Sequence, residues 1–516
     1  MNILFALYGD FTSNSINHIA PFTSELTRMG HSCAVAVPER VETVASVADC
    51  CFQPLLFQQV LAEPCCFPDG RAADLLHAWT PREIIRDFIF AYLAEHPETA
   101  LLIHLEDGER DISATALGIN SADLDLFDDH ELAQRIPVAY AHPRYAECLL
   151  LIADGITVIQ DKLAGLVPPL TPCATVYPGV DLDLFKPQSP DMDLRAHLDI
   201  ADDERIIVYQ GGMNPIVLDE IRDLYLAIGL LNQRGYSCRL IRTGPGQPPF
   251  WDQLPAICRN HITDLGYVAR ERLPALLALA DVCVQPGRCN MFNDLRLPSK
   301  IPEWLAMAKP VLLPAANIAA LLEDGVNCLM LHQGTPQEIA ERCIWVFDHP
   351  QQAWKIGQQG RRFAEQHFCL PQQAHLLAEL YQQFITDSSS ADSRRRTLHD
   401  IHVAAPPALF ALRRLRDRMQ KSIGSSSALE SQVMDKETLQ NLDKILSRWE
   451  SIPLTKPDRY FNLRVYVDLG QGFTEYYSLS KSGLMNQTTR MNLRFPESRS
   501  DKNQEIKLRL DPHDGV

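Results

Sequence analysis

Two long stretches of this 516-residue sequence alternate short apolar runs with helical patterns. The first stretch opens with an apolar run at residues 3–8, a polar loop, and a helical pattern at residues 19–29 that Gly30 ends. A second apolar run follows at residues 33–37. Strand, loop, helix and strand in this order predict a βαβ unit, in which the two strands lie parallel in one sheet.

A second series of the same kind begins near residue 205. Its predicted strands are residues 205–209, 238–241 and 282–284, its predicted helices are residues 219–234 and 273–280, and the first series adds strands at residues 100–104 and 155–159. Strands that alternate with helices indicate parallel sheets. Two such domains in tandem place a cleft where both sheets present the carboxyl ends of their strands. The predicted fold class is therefore α/β, with two Rossmann-like domains facing across a cleft.

The sequence predicts four parts. Residues 1–187 are expected to form an N-terminal Rossmann-like domain, and residues 188–375 a C-terminal one whose last helix is a candidate to pack back on the first domain. Residues 376–456 read as a linker with basic, amphipathic helices. Residues 457–516 read as a β-rich segment, and we expect it to be an incomplete module.

The third and fourth parts have patterns of their own. A helix predicted at residues 408–423 has leucines along one side and arginines elsewhere. This pattern fits either a packing or spacer helix with a solvated basic face or an interfacial helix in peripheral contact with a membrane. Beyond residue 456, apolar side chains alternate with period two around Val465 and again around Leu508, which predicts strands.

Composition excludes several classes of function. A net charge of −17 argues against general nucleic-acid binding, which needs a basic face, so any anionic ligand must be held locally. The fourteen cysteines have neither zinc nor redox spacing and indicate reduced thiols. The start of the chain lacks a signal-peptide leader, and no apolar run approaches a membrane span. We expect a cytoplasmic protein.

The segment 296–311 is the most informative one for chemistry. It predicts a helix entered through Pro298, Ser299 and Lys300, with Glu303 one turn in, leading to a buried strand at residues 311–313. The free amides of a helix start, together with a lysine, suit a phosphate, and Glu303 would face the group that carries it. A diphosphate beside a ribose diol describes a nucleotide sugar. The alternative is an ordinary helix start, which uses the same residue types.

Several short motifs occur in an order that is typical of one enzyme family. They are Val176-Tyr177-Pro178-Gly179-Val180-Asp181-Leu182-Asp183-Leu184-Phe185, Thr243-Gly244, Leu265-Gly266-Tyr267-Val268, Leu276 to Ala280 with Asp281-Val282, and the segment 296–311. The series resembles glycosyltransferases of the two-Rossmann-domain (GT-B) type, most closely the retaining family 4 group, over roughly residues 1–375. A weaker resemblance links residues 463–475 and 508–512 to a β-rich module of bacterial polysaccharide-assembly glycosyltransferases.

The resemblance implies roles for individual residues. Ser299 and Lys300 would contact the donor diphosphate, and Glu303 would bind the ribose. The Gly211-Gly212 loop and Gly244 would let backbone approach the phosphates, because a side chain there would clash. Gly266, Tyr267 and Val268 would lie along the base. His104, at a strand end, matches a family histidine near the transferred sugar.

The sequence departs from the family pattern at two places. The first glutamate of the family's paired-glutamate motif is expected eight positions before Glu303, where this chain has Leu295 beside Asp294. The usual Lys-Gly after the first loop of the second domain is also missing, and Arg222 or Arg296 would replace its positive charge. Nucleotide binding is compatible with both changes, whereas the first one affects the contacts to the sugar.

The predicted chemistry needs neither metal nor cofactor. Lys300, an arginine and a helix end would stabilise the leaving diphosphate. The Asp-x-Asp patterns at residues 123–125 and 181–183 match a metal-binding signature, but that signature is common by chance in an acidic chain. His104 is the candidate catalytic histidine. His77 and His18 compete for this role, and His18 is expected on the loop after the first strand.

Three functions remain open at this point. The leading one is a retaining glycosyltransferase that moves a sugar from a nucleotide sugar to a glycan or lipid-linked acceptor in bacterial polysaccharide synthesis. A nucleotide-sugar epimerase has the same fold and needs no acceptor. A non-catalytic sugar-binding or scaffold protein would be compatible with Leu295 and the β-rich tail.

Overall fold

The computed structural model describes residues 1–47, 49–168 and 171–386, together with the backbone of four strands between residues 460 and 514. The first sheet contains seven parallel strands: β1 (Asn2–Leu7), β2 (Ser32–Val37), β3 (Gln53–Leu56), β4 (Leu75–Trp79), β5 (Ala100–Leu105), β6 (Gly155–Val158) and β7 (Cys173–Thr175). Their order in the sheet is β3-β2-β1-β4-β5-β6-β7. The accompanying helices are α1 (Ile16–Arg28), α2 (Phe57–Ala62), α3 (Glu83–Glu95), α4 (Glu109–Ala116), α5 (Asp129–Arg135) and α6 (Pro143–Ile152).

The second sheet contains six parallel strands: β8 (Arg205–Gln210), β9 (Cys238–Thr243), β10 (Ile262–Asp264), β11 (Val282–Val284), β12 (Val311–Pro314) and β13 (Leu329–Leu331). Their order, β10-β9-β8-β11-β12-β13, is that of a doubly wound nucleotide-binding domain. The helices of this half are α7 (Met192–His197), α8 (Leu218–Gln233), α9 (Ala256–Arg259), α10 (Leu273–Leu279), α11 (Met291–Asp294), α12 (Lys300–Ala306), α13 (Pro336–Asp348), α14 (Pro350–His367) and α15 (Leu370–Thr386). Short 3₁₀ turns occur at Val41–Ser46, Ser121–Leu126, Asp161–Leu166, Pro215–Val217, Trp251–Gln253, Arg270–Arg272 and Asn317–Leu321.

Both sheets are buried on two faces, which explains the continuous apolar runs in the sequence. All six residues of β1 are buried, and alternate side chains enter two different apolar clusters, Leu4 and Ala6 on one face and Ile3 and Phe5 on the other. Side chains alternate across a strand, so a strand covered on both sides has few polar positions. The predicted α/β fold class with two parallel sheets is confirmed.

The chain passes between the two sheets twice, and the two passages are hydrogen-bonded to each other. The Val180 amide donates to the Phe368 carbonyl at 2.7 Å, and the Leu370 amide donates to the Val180 carbonyl at 3.3 Å. Helix α14 packs on the second sheet's side, whereas α15 returns to the first sheet and packs beside α1. There the Tyr381 hydroxyl lies 2.7 Å from His77 Nδ1 on β4. The last helix therefore belongs to the core of the first half.

The C-terminal strands form a separate antiparallel sheet. These strands are β14 (Tyr460–Asp468), β15 (Phe473–Ser482), β16 (Thr489–Phe495) and β17 (Gln504–Asp514), in the order β15-β14-β17-β16. The two segments predicted to be strands pair with each other, with Val465 opposite Leu510. The predicted basic helix at residues 408–423 lies outside the described residues. Within the part of the chain that the structure describes, no helix is long and apolar enough to cross a membrane.

Gly155, at the start of β6, offers a test of how α15 packs. A Cβ atom at residue 155 would lie 2.6 Å from the Phe384 ring of α15. We expect Gly155→Ala to lower the free energy of unfolding by about 1–3 kcal/mol, because the ring is packed within the core. The measurement is the melting temperature. The matched control is Gly165→Ala, where an added Cβ meets no atom within 4 Å. Equal melting temperatures for the two variants would contradict this packing.

Candidate functional site

Three loops meet at the carboxyl ends of β8, β9 and β10. The Gly211 amide donates to the Thr243 carbonyl, and the Gly244 amide donates to the Gly266 carbonyl, both at 2.7 Å. Gly244 has a φ of 124°, and a Cβ there would lie 2.5 Å from the Gly211 carbonyl oxygen. Only glycine satisfies both conditions. The loops therefore form a layer of closely spaced backbone at the edge of the sheet.

The guanidinium of Arg242, at the end of β9, holds this layer together. Its side chain is fully buried and donates to the carbonyl oxygens of Gly211, Pro245 and Gly246 and to the Asp264 carboxylate, at 2.6–3.3 Å. Asp264 also accepts from the Gly266 amide at 3.0 Å. A planar fork with five N–H donors can serve acceptors in several directions at once, which a lysine cannot do.

Lys300, the first residue of α12, places its ammonium beneath the loop after β8. Its Nζ lies 4.3 Å from the centre of the Tyr209 ring, and a Cβ at Gly211 would be 2.9 Å from it. Removal from water lowers the pKa of Lys300 well below its usual value, and the neighbouring charge of Arg296 lowers it further. Helix α12 has only seven residues, so the lysine contributes more positive charge here than the helix end.

Arg296 and Glu220 form the charged surroundings of Lys300. The Glu220 carboxylate, at the start of α8, lies 3.4 Å from Arg296 and accepts from the Asn293 side-chain amide at 2.6 Å. Asn293 in turn accepts from Arg296 Nε at 2.9 Å. Glu220 raises the pKa of Lys300 against the larger effect of desolvation. An anion bound beside the glycine loops would favour the charged form of Lys300, so that two cations would face one carboxylate when the site is occupied.

The remaining predicted residues of this half occupy different environments. Ser299 precedes α12 without a side-chain hydrogen bond to the helix, Tyr267 is 75% exposed, and Val268 is half-buried. Arg222, on α8, is exposed, and the charges that shift the pKa of Lys300 are those of Arg296, Glu220 and Arg242. Of the two arginines that the sequence suggested, Arg296 is the one beside Lys300.

Glu303 is buried in α12 and is already paired. Its carboxylate lies 2.5 Å from the Arg270 guanidinium, which also lies 5.0 Å from the centre of the Phe185 ring. Burial raises the pKa of Glu303, and Arg270 lowers it. Arg270 is close enough to the first half to lower the pKa of His18. Arg270 is thus a contact between the two halves that the sequence did not reveal.

His104 lies near the end of β5 with one ring nitrogen bound and the other free. Its Nδ1 is 2.8 Å from the Thr157 hydroxyl, its ring stacks on Trp79 at 4.0 Å, and its buried Nε2 has no hydrogen-bond partner among the described residues. Burial lowers its pKa well below the usual value, so the ring is neutral. His77, by contrast, is bound at both nitrogens, by Tyr381 and Thr157.

His18 lies in the first turn of α1, not on the preceding loop as the sequence suggested, because α1 already begins at Ile16. Its Nε2 is 3.8 Å from the Glu106 carboxylate, which also accepts a short hydrogen bond from Ser15. Burial lowers the pKa of His18 to about 4 and raises the pKa of Glu106 to about 7. His18 is therefore neutral around neutral pH, whereas Glu106 titrates there.

The turn after β5 faces the second half. A Cβ at Gly108 would lie 3.0 Å from Leu295 Cδ1, so Leu295 packs against this turn. The neighbouring Asp294 forms an ion pair with Lys162 of the first half, and its carbonyl accepts from Gln160 Nε2 at 2.7 Å. Asp294 is thus occupied in joining the two halves and is not a free substitute for the missing glutamate.

The two Asp-x-Asp patterns have local structural roles. Asp123 accepts from the Asn120 backbone and side chain, and Asp125 pairs with Arg110 at 2.7 Å. Asp181 accepts the amides of Asp183 and Leu184. No group of three or more His, Cys, Asp or Glu side chains that could hold a metal ion occurs in the described ranges.

Sequence reasoning missed Arg242, Arg270 and the acidic turn at Glu106 and Asp107. The acidic turn could have been predicted from the sequence. Polar residues that follow a buried strand lie at the edge of a parallel sheet where ligands bind. Arg242 could have been predicted too, since an arginine at the end of a buried strand needs internal acceptors. The partner of Arg270 could not be inferred, because it depends on how two loops distant in sequence meet.

Replacement of Arg242 tests the loop layer. We expect Arg242→Lys to lower the melting temperature by about 5 °C or more, since one ammonium cannot reach four acceptors in different directions and each hydrogen bond to a charged group contributes about 1.5–3 kcal/mol. The control is Arg234→Lys, at the exposed C-terminal end of α8. If Arg242→Lys melts like the control, the loops are held by other contacts.

Comparison with known proteins agrees with this architecture. Residues 204–349 match the family described as "Glycosyl transferases group 1". A curated relative, the alpha-D-kanosaminyltransferase of Streptomyces kanamyceticus, is 23% identical over 187 residues, which is 35% of this chain and 46%, or about half, of that protein.

Solved structures are similar over a longer part of the chain. Anabaena HepE in complex with UDP-glucose has a TM-score of 0.58 at 17% identity and covers 74% of this chain and 100% of its own. The sucrose-phosphate synthase of Thermosynechococcus elongatus has a TM-score of 0.54 at 16% identity and covers 75% and 100%. The fold is therefore that of the GT-B glycosyltransferases, and residues 204–349 match the group 1 family of these enzymes.

Proposed function

We propose that this protein is a glycosyltransferase that moves a sugar from a nucleotide-sugar donor to a glycan or lipid-linked saccharide acceptor. The observation that carries the proposal is the desolvated Lys300 ammonium beside Arg296, under glycine loops at the carboxyl ends of β8, β9 and β10. Ligands bind at this edge in doubly wound sheets. The relatives support the donor class, since HepE was solved with UDP-glucose and the curated relative is a kanosaminyltransferase.

The proposed donor site extends along the edge of the second sheet. Lys300 and Arg296 hold the diphosphate, with the Ser299 hydroxyl and the backbone of Gly211, Gly212 and Gly244 close to it. The backbone of Gly266 to Val268, next to Gly244, runs along the base. Arg222 has no part in this site, because its side chain is exposed on α8.

The ribose contact proposed for Glu303 depends on Arg270. Arg270 pairs with the Glu303 carboxylate. A carboxylate can accept four hydrogen bonds, so Glu303 can bind a diol while it keeps one bond to Arg270. Arg270 also opposes the rise in the Glu303 pKa that burial causes.

The proposed chemistry is departure of the nucleoside diphosphate with retention of configuration. Negative charge develops on the leaving diphosphate, and Lys300 and Arg296 are already positioned to stabilise it without a metal ion. The neutral His104 ring offers its free Nε2 to a hydroxyl of the transferred sugar. It is a hydrogen-bonding group and not a proton acceptor, since burial lowers its pKa well below the usual value.

The cellular setting is also part of the proposal. All fourteen cysteines are free thiols in the structure, which supports a reducing compartment and hence the cytoplasm. A lipid-linked acceptor in bacterial polysaccharide synthesis would bring the protein to the inner face of the membrane. The basic helix predicted at residues 408–423 would provide that contact.

Donor binding can be tested with a panel of nucleotide sugars. We expect at least one of them, at 100 times its dissociation constant, to stabilise the protein by about 2.7 kcal/mol, with or without EDTA. Lys300→Met should remove this thermal shift, because the diphosphate loses its closest cation, whereas Lys355→Met on the exposed face of α14 should keep it. The absence of a shift with every nucleotide would overturn the donor site, and a shift that EDTA abolishes would overturn metal-free binding.

The role of His104 can be tested by turnover. We expect His104→Ala to lower the rate of nucleoside diphosphate release about tenfold or more, through loss of a hydrogen bond to the sugar, with little change in affinity for the free nucleotide. His375→Ala, exposed on α15, is the control. Wild-type turnover in His104→Ala would rule out this role, and an inverted anomeric centre in the product would rule out retention.

A further inference from the structure

Asp107 is a carboxylate at the opening between the two halves. It lies two residues beyond β5, and its neighbour Gly108 packs against Leu295 of the second half. Arg296 follows Leu295 in the chain, so Asp107 and Arg296 flank this contact, and Asp107 lies near the positive group that we assign to the diphosphate. Burial and Glu109 raise the pKa of Asp107 to about 6, whereas Arg82 and Arg296 lower it.

The acidic residues on either side of Asp107 have partners, whereas Asp107 has none. Glu109 receives three hydrogen bonds at 3.0–3.2 Å from Arg82. Glu106 accepts from Ser15 and lies against His18. Asp107 has no hydrogen bond or ion pair with any residue in the described ranges. Asp107 is half-buried, so its carboxylate is open to hydrogen-bond donors of a ligand that enters between the halves.

A second unpartnered polar group lies on the same strand. His104 Nε2 is buried and has no partner in the ranges that the structure describes. Asp107 is three residues after His104, just beyond the carboxyl end of β5. His18, against Glu106, is near enough to lower the pKa of His104. A buried hydrogen-bonding atom and a free carboxylate thus occur together beside the cleft.

We propose that Asp107 accepts hydrogen bonds from hydroxyl groups of the sugar that is transferred and so determines which sugars are accepted. This inference rests on the proposed glycosyltransferase function and adds a specificity residue to it. The side chain of the second half that contacts the turn at Gly108 is Leu295, which is apolar. Carboxylate contacts to the sugar therefore come from the first half, across the cleft.

The position of Asp107 favours the donor sugar over the acceptor. The sugar is attached directly to the diphosphate, and Asp107 lies within electrostatic reach of Arg296, which is beside that site. The same reach gives Asp107 a second effect. The negative charge of Asp107 repels a free diphosphate. Hydroxyl groups that donate hydrogen bonds to the Asp107 carboxylate offset this repulsion when the intact donor is bound. The residue thus favours the intact donor over the nucleotide product.

Calorimetry of the full chain with UDP and UDP-sugars tests this inference. The probe is the UDP-sugar with the highest affinity for the wild type among UDP-glucose, UDP-galactose, UDP-N-acetylglucosamine and UDP-glucuronic acid. We expect Asp107→Ala and Asp107→Asn to weaken binding of that sugar nucleotide about tenfold or more, as for loss of a charge-assisted hydrogen bond. UDP should bind both variants as tightly as the wild type or more tightly.

The control is Asp203→Asn, an exposed residue before β8 at the opposite end of the second sheet, which should bind both ligands like the wild type. Equal weakening of UDP and the UDP-sugar, or no weakening, would overturn the role of Asp107 while leaving the donor site intact. A wild type that binds the UDP-sugars no differently from UDP would overturn it as well. A wild type that binds none of these ligands would contradict the UDP-based donor site, and the role of Asp107 with it.

Discussion

The buried Arg242 guanidinium is the interaction on which the candidate site depends. Two loops present the carbonyl oxygens of Gly211, Pro245 and Gly246 to this guanidinium, and β10 adds the Asp264 carboxylate. One fully buried cation thus joins the ends of three neighbouring strands. Gly211 and Gly244 can then approach each other closely, and the Lys300 ammonium fits beneath the first loop.

Charge in the cleft is distributed unevenly between the two halves. The second half contributes the cations Lys300, Arg296 and Arg270, and the first half contributes carboxylates on the turn after β5. Most of these groups are paired within their own half or across the cleft. Lys300 and Asp107 are the exceptions, and both are desolvated. A ligand with a diphosphate at one end and hydroxyl groups at the other would match this arrangement.

The sequence predicted the repeating framework well because burial on two faces leaves a clear pattern. The strand at residues 282–284 has the predicted bounds, and α8 differs from its predicted bounds by one residue at each end. Strand β4 was not predicted, because its buried His77 interrupts the apolar run. The hydrogen-bond partners of this histidine include Tyr381, some 300 residues later in the chain, which the sequence pattern does not reveal. The helix start at Lys300 was predicted from the local sequence, and its position beside the glycine loops was expected from the family resemblance. The pairing of Glu303 with Arg270 and the isolation of Asp107 were not predicted, since both depend on the packing of distant loops.

The two hydrogen-bonded passages between the halves also limit how the molecule can move. Val180 bonds to both Phe368 and Leu370, so the two connections lie side by side and not at opposite ends of the interface. Two adjacent tethers on one side of the interface favour a hinge at that side over a sliding motion. Because α15 packs in the core of the first half, that helix moves with the first half during such a swing. If a donor bridges Lys300 and Asp107 as proposed, the span from its diphosphate to its sugar hydroxyls limits how far the hinge opens while the donor is bound.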